Sequence, residues 1–484
     1  MPAEMERLGR SKDRPKPKSG IVHLGLGAFF RAFGAIYIDD AVRVSGGDWG
    51  IVGVSLQSPG TRDKLAPQDF VYTTVSQDPD GGETFRRIEI LETVLVAPED
   101  PDAVLARMTD PAIRIVTLTV TEKGYCHDPA SGRLNFSHPD IEHDLTHAKP
   151  RTAIGYLVRA LQRRRDAGDP PFTVLTCDNL PENGKLVRGV VLDFARALDP
   201  ELAGWIETEG RFPSTMVDRI TPATKPEDVE RLAQKIGIRD EAPVLCEPFR
   251  QWVVEDDFVP AYDGAEAYPD LAAAGVEMVA DVTPFEHMKL RMLNGTHSSL
   301  AYLGYLAGHE TIAETVADPV FAGFAKRLWQ EEIMPSFSPP EGVNLADYAD
   351  ALFKRYSNPA IRHRTWQIAM DGSQKLPQRI LGTIADNLAA GRASPGLMLA
   401  VAAWMRYVGG VDEKGQSIEV KDPLAGRLRG LSDAAETPAE KVAALLSVRE
   451  IFSAELAAQL LEPVTHAYQE LCRLGARRAA EDIT

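Results

Sequence analysis

Cysteine is scarce: Cys126, Cys177, Cys246 and Cys472 are the only four in 484 residues. Thiols so few and so widely spaced build neither a disulfide scaffold nor a paired-thiolate metal site. They point to a reducing compartment, read here as the cytoplasm. No apolar run reaches the ~18 residues of a membrane-spanning helix, so no membrane partner is expected. Positive charge is also short: 53 Lys and Arg stand against 70 Asp and Glu, a net −17. That balance argues against a nucleic-acid partner, whose phosphates require clustered Lys and Arg. The first twenty residues lack the apolar stretch of a secretory signal. Polar and rich in Lys and Pro, residues 1–19 read as a flexible arm ahead of the fold. Internal repeats, low-complexity segments and a Gly-x-Ser-x-Gly nucleophile elbow are missing too. His143 and His147 have the spacing of a metal pair but no zincin Glu, and read as a solvated segment.

What remains is ordinary for a soluble globular chain: 44% hydrophobic and 25% charged residues. At ~150 residues per domain the length predicts two or three domains. Strand patterns at Trp49–Leu56, Phe70–Ser76, Arg87–Leu91, Ile113–Val120 and Phe172–Cys177 alternate with helical patterns at 31–44, 101–109, 152–167 and 185–198. Such alternation implies a mainly parallel sheet covered on both faces. Further strand patterns run through Val244–Phe249, Trp252–Val254 and Glu277–Val282. Beyond about residue 283 helical periodicity takes over, at 284–307, 320–334, 345–356, 360–370, 376–391, 396–408, 438–447 and 462–480. The expected fold is α/β: a Rossmann-type domain over 20–282, then a mostly α-helical domain over 283–484.

Two stretches carry chemistry. Gly25-Leu26-Gly27 follows the run Ile21–Leu24 and precedes a helical pattern, the context a dinucleotide turn requires. The first glycine permits the tight turn, and the second lets backbone approach a pyrophosphate. A third glycine is missing, with Phe30 in its place. After the second strand pattern, Val54–Ser58 offers no carboxylate for a ribose hydroxyl, while Arg62 lies near enough to meet a 2′-phosphate. On the residues alone, NAD and NADP both stay open.

The second stretch is Pro284–His297. At about 100° per residue, Lys289, Asn294 and His297 fall at roughly 0°, 140° and 80°, and Glu286 at 60°. A lysine, an amide, an imidazole and a carboxylate thus share one arc with Leu290 and Leu293, as on a buried face. The set suits alcohol–ketone interconversion without a metal. Lys289 would carry the proton and Asn294 would donate to charge developing on oxygen. Acting as a base, a lysine needs a pKa well below ~10.4, and desolvation shifts it in that direction.

With Gly25–Ala32, Thr117–Tyr125, Cys177–Leu180, Val217–Ile220, Glu247–Trp252, the Lys289/Asn294/His297 helix and Asp371–Lys375, the sequence resembles the long-chain mannitol dehydrogenase family over about residues 20–475. The resemblance implies NAD or NADP without metal, and a catalytic lysine at Lys289. It places oxyanion-binding amides at Asn179 and Asn294 with His297 beside them. Glu286 is assigned to proton exchange with solvent. Cofactor contacts fall on Leu24, Gly25, Leu26, Gly27, Ala28, Phe29 and Arg31, and substrate contacts on Asp218 and Lys375. Two departures stand out: Phe30 and Phe33 replace family histidines, and Gln367 and Met370 replace the Arg and His of mannitol enzymes.

The segment 362–379, with Trp404–Tyr407 and Asp412–Gly415, resembles the branch that interconverts fructuronate and mannonate, and the branch resemblance favours NAD. A sugar acid carries a carboxylate, for which Lys375 and Arg379 or Arg364 are the candidate partners. The alternative is a polyol dehydrogenase acting on mannitol and fructose. Two other classes fit the residues: a decarboxylating hydroxyacid dehydrogenase, which CO₂ release would reveal, and a non-catalytic dinucleotide sensor. A small-molecule sugar acid or polyol is the expected partner, and the expected state is a monomer or weak homo-oligomer.

Overall fold

The computed structural model describes residues 5–128 and 131–483, so residues 1–4 of the expected arm lie outside it. The chain divides into two compact units. One holds the chain up to Asp78 and Gly82–Thr283; the other holds Pro79–Gly81 and the chain from Pro284.

The first unit is built on β1 (Ser19–Leu24), β2 (Gly50–Ser55), β5 (Leu91–Val96), β6 (Ile115–Leu118) and β7 (Thr173–Thr176), with β3 (Tyr72–Gln77) and β4 (Glu83–Ile88) inserted between β2 and β5. The five strands form one sheet in the order β5-β2-β1-β6-β7, every neighbouring pair parallel. β2, β6 and β7 are buried at every residue. Burial on both faces is why they read as continuous apolar runs rather than alternating ones. The pleat sends Val22, Leu24, Val52, Val54 and Val116 into one hydrophobic cluster with the helices Pro101–Thr109, Ala153–Ala167 and Asn183–Leu198. It sends Ile21, Ile51 and Ile115 into another with Phe30, Ile36 and Tyr37. The chain turns from one side of β1 to the other, so the C-terminal ends of β1 and β6 frame a topological switch point, where open α/β sheets bind ligands.

β8 (Thr215–Asp218), β10 (Gln251–Glu255) and β11 (Glu277–Val279) make a second sheet. β9 (Val244–Cys246) joins β3 and β4 in a third.

Two readings of this unit need correction. The strand expected at Arg87–Leu91 is a junction: β4 ends at Ile88 and β5 starts at Leu91. The described part of the expected flexible arm is docked. Leu8 is buried, and its N–H donates to Arg239 O at 2.8 Å. Arg10 donates to the carbonyls of Glu89 (2.6 Å) and Leu91 (2.9 Å), and Ser11 N–H donates to the buried Glu89 carboxylate at 2.7 Å. A basic, Pro-rich composition reads as solvated, but arginines with carbonyls and buried carboxylates in reach order such a segment.

Among the described residues, the regular elements of the second unit are helices. Thr296–Ala307 and Pro395–Val408 are its most buried helices. The helix expected over 360–370 is confined to Thr365–Ala369. Residues 361–365 are pinned instead to the neighbouring segment, Ile312 N–H donating to His363 O (3.1 Å) and Thr365 N–H to Glu310 O (3.0 Å). Three segments widen into π-turns: Lys289–Gly295, Leu328–Ile333 and Pro377–Leu381.

Candidate active site

On the first unit, a cleft of about 990 Å³ opens at the switch point. Gly25, Leu26, Gly27, Ser55–Ser58, Thr61, Ala97, Pro98, Thr119–Thr121 and Tyr156 are among the residues that line it. Gly25 sits at φ +89°, and a Cβ there would lie 2.3 Å from the Thr119 carbonyl oxygen. Only glycine fits. A Cβ at Gly27 would meet nothing closer than Gly25 O at 3.8 Å. The lack of a side chain at Gly27 therefore leaves open the space that a pyrophosphate lying against the turn would fill. The Gly25 and Leu26 amides both donate to Val54 O, at 2.9 and 3.1 Å, which ties the turn to β2.

His23 supports the turn from below. Its ring stacks on Phe30 at 3.4 Å, and its nitrogens meet the hydroxyls of Thr117 (2.7 Å) and Thr119 (2.9 Å). Burial pulls its pKa down to about 3, so the ring is neutral. Across the loop, Asp178 accepts from Val120 N–H and Thr121 N–H, each at 2.9 Å, and from Tyr125 OH at 2.7 Å. Arg62 is held by Asp63 and Glu99. Its charge is already answered, which weakens it as a 2′-phosphate partner. These residues fit a dinucleotide. Gly25→Ala is expected to raise the Kd for dinucleotide at least about tenfold by titration, because the left-handed backbone costs ~1–2 kcal/mol before the clash with Thr119 O is counted.

Among the expected cofactor contacts, Gly25, Leu26 and Gly27 line the cleft, and Ala28 and Phe29 begin the helix that follows. Leu24 lies below the turn, its side chain wholly buried in the core. Arg31 is a correction. Its buried guanidinium donates to Ala242 O at 2.6 Å and Gly27 O at 3.3 Å and lies over Tyr72, so it braces the turn from inside. Asn179 is exposed just after β7, and Asp218 is buried at the end of β8.

On the second unit, Glu286, Lys289, Asn294 and His297 are all buried. Their 100° spacing is not kept, because Lys289–Gly295 is a π-turn. The i→i+5 bonding fits more residues into each turn, so each advances by less than about 100° around the axis. Asn294 is therefore turned closer to Lys289 than the ~140° of a regular α-helix. Two distant side chains hold this turn: Trp329 Nε1–H donates to Met292 O (2.9 Å) and Tyr356 OH to Leu293 O (2.6 Å). Asn294 Nδ2 is buried without a hydrogen-bond partner. Such an orphan is costly and marks a donor waiting for an acceptor.

His297 stacks on Tyr356 at 5.1 Å and meets His363 edge-on at 4.7 Å. Burial first, then the charges of the His363, Arg379, Arg355 and Lys375 side chains, hold it well below its ordinary pKa. His363 is brought to about 4 by burial and by Lys375 and Arg379. Lys375 Nζ donates to Met370 O at 2.6 Å, and burial with the nearby Arg379 lowers its pKa to about 8. Arg379 is half-buried and donates to Ser298 Oγ at 3.1 Å; burial brings it down to about 10. Among the described residues no carboxylate pairs with Lys375 or Arg379.

Arg364 is the second correction: it is exposed and pairs with Glu310 at 3.4 Å, away from this cluster. His363, Tyr356 and Ser298 join the cluster without a sequence signal, since only the pinned 361–365 segment turns His363 inward. His143 and His147 stack on each other at 4.1 Å, and His143 also meets Asp144.

A family model, the mannitol dehydrogenase Rossmann domain, matches residues 19–263, and the mannitol dehydrogenase C-terminal domain matches 281–472. The chain belongs to the mannitol dehydrogenase family. It is therefore an oxidoreductase acting on secondary-alcohol groups. It is 46% identical to the D-mannonate oxidoreductase of Escherichia coli over 473 residues, 96% of each chain. It is 40% identical to the mannitol 2-dehydrogenase of Pyricularia oryzae, across 96% of this chain and 93% of that one. The Pseudomonas fluorescens mannitol 2-dehydrogenase, solved as a ternary complex with NAD and D-mannitol, superposes with a TM-score of 0.87. That match has 37% identity and covers 99% and 97% of the two chains.

Proposed function

We propose that this family member is an NAD-dependent reductase that interconverts D-fructuronate and D-mannonate. The observation that carries this reading is the Arg379 guanidinium, half-buried in the polar cluster beside Lys375 and held by a neutral hydroxyl, with no carboxylate paired to it among the described residues. A buried cation without a counter-ion is unfavourable unless its ligand brings one. The carboxylate of a sugar acid supplies it; fructose and mannitol have none. The similarity to the D-mannonate oxidoreductase of E. coli supports the same choice, and the engagement of Arg62 by acids supports NAD over NADP.

Nicotinamide bound on the first unit supplies or accepts the hydride. Lys289 gives the proton to the nascent alkoxide in reduction and takes it back in oxidation. The orphaned Asn294 amide donates to the same oxygen as its charge grows; Asn179 is the second amide that the family resemblance assigns. His297, kept neutral by burial and by the cations around it, serves as a hydrogen-bonding group and leaves the proton to Lys289. Glu286, buried one turn before Lys289, passes the proton to solvent, and Asp218 contacts the substrate hydroxyls.

A second reading, mannitol–fructose interconversion, is favoured by the structural match to the Pseudomonas fluorescens enzyme. A panel of fructuronate, mannonate, fructose and mannitol with NAD(H) and NADP(H), followed at nicotinamide absorbance, separates the two. The expected result is a kcat/KM with fructuronate and NADH far above that with fructose. Equal use of both ketones, or activity on mannitol alone, overturns the sugar-acid reading. A preference for NADPH above about tenfold, ~1.4 kcal/mol, overturns the cofactor choice.

A further inference from the structure

The segment that carries Lys289 and the segment that carries Arg379 are locked together at two points. Gly295 ends the first π-turn against the second: a Cβ on it would stand 2.5 Å from the Arg379 carbonyl oxygen, so only glycine allows the two turns to approach this closely. One turn further on, Ser298 Oγ, buried, accepts the Arg379 Nη1–H at 3.1 Å. The first lock sets the Arg379 backbone against the Lys289 turn, and the second sets the direction of its guanidinium. A long arginine side chain is otherwise free to rotate, and ordering it has an entropy cost.

We propose that Ser298 is a positioning residue for substrate recognition: by fixing the Arg379 guanidinium relative to the turn bearing Lys289, it sets how far the anionic group of the substrate lies from the carbon that reacts. The inference rests on the sugar-acid reading, and deepens it. Ser298 itself touches no substrate and acts only through Arg379. Its hydroxyl is neutral, so it orients the cation without consuming the charge that the substrate carboxylate must answer. An aspartate at this position would orient the guanidinium equally well but would neutralise it.

The test is a double-mutant cycle in the full-length protein, reading KM for fructuronate with saturating NADH. Ser298→Ala removes the acceptor of the Arg379 Nη1–H and leaves the charge of the guanidinium in place. It is expected to raise KM for fructuronate about tenfold, the low end for losing a hydrogen bond to a charged group, and KM for fructose by less. In an Arg379→Ala background the same substitution is expected to add less than about twofold, because the group it positions is gone. Equal factors in both backgrounds would mean that Ser298 only supports packing, and the proposal falls. A wild-type protein that prefers fructose would sink the sugar-acid reading instead. The cycle run on KM for fructose then decides the Ser298–Arg379 link by itself: non-additivity keeps it and additivity ends it.

Discussion

Lys289→Ala is expected to lower kcat at least about 10²-fold in both directions while leaving dinucleotide binding intact, because a positioned general acid–base contributes typically 10²–10⁴. The two readouts separate because the dinucleotide cleft is lined wholly by residues of the first unit, whereas Lys289 belongs to the second. The sign of the pH dependence follows from the role. Ketone reduction uses the protonated amine and should weaken as pH rises; alcohol oxidation uses the neutral amine and should strengthen. The alanine variant should lose this opposition between the two directions. If it keeps near-normal turnover, the proton passes through another group. His297 is the next candidate by position, although its low pKa makes it a poor proton donor at neutral pH.

Arg379→Ala should raise KM for fructuronate far more than KM for fructose, measured with NADH at fixed pH. Removing one partner of a buried, hydrogen-bonded charge pair typically costs ~2–5 kcal/mol, or roughly 30- to several-thousand-fold. Fructose has no carboxylate and so escapes that loss. Lys375 adds a pH signature. Its pKa is pulled down to about 8 by burial and by Arg379, so its charge is lost as pH rises through that value while the substrate stays anionic. Affinity for fructuronate should therefore fall above about pH 8. Removing Arg379 takes away one cause of the lowering, so the fall should move to higher pH in the variant. A KM rise of the same size for both ketones would place Arg379 in the architecture of the cluster rather than at the carboxylate.

The residues differ in how much of their role is visible before folding. Ile51–Val54 and Ile115–Leu118 announce buried parallel strands because a strand covered on both faces has no solvent side to break its apolar run. Gly25 announces a turn because its conformation is closed to other residues. The helix over 101–109 is legible in its spacing, and the structure closes its start with Asp100, whose carboxylate accepts Ala103 N–H. The helical pattern at 360–370 misled because its apolar spacing is real, while the backbone of 361–365 is held by residues 310–312.

Arginine was the least legible. Arg31, Arg364 and Arg379 look alike as charges near a motif, and the fold sends one inside to backbone carbonyls, one out to Glu310 and one into the polar cluster. The sequence by itself determined the parallel sheet, the glycine turn and the lysine–amide–imidazole set, because each depends on backbone conformation or on residues near one another in the chain. Only the tertiary structure decided how that set is aligned and which cation accompanies it. The π-turn between Lys289 and Gly295 is held by Trp329 and Tyr356, 37 and 63 residues from the carbonyls they bond. No local pattern encodes a turn whose stabilising hydrogen bonds come from that far along the chain.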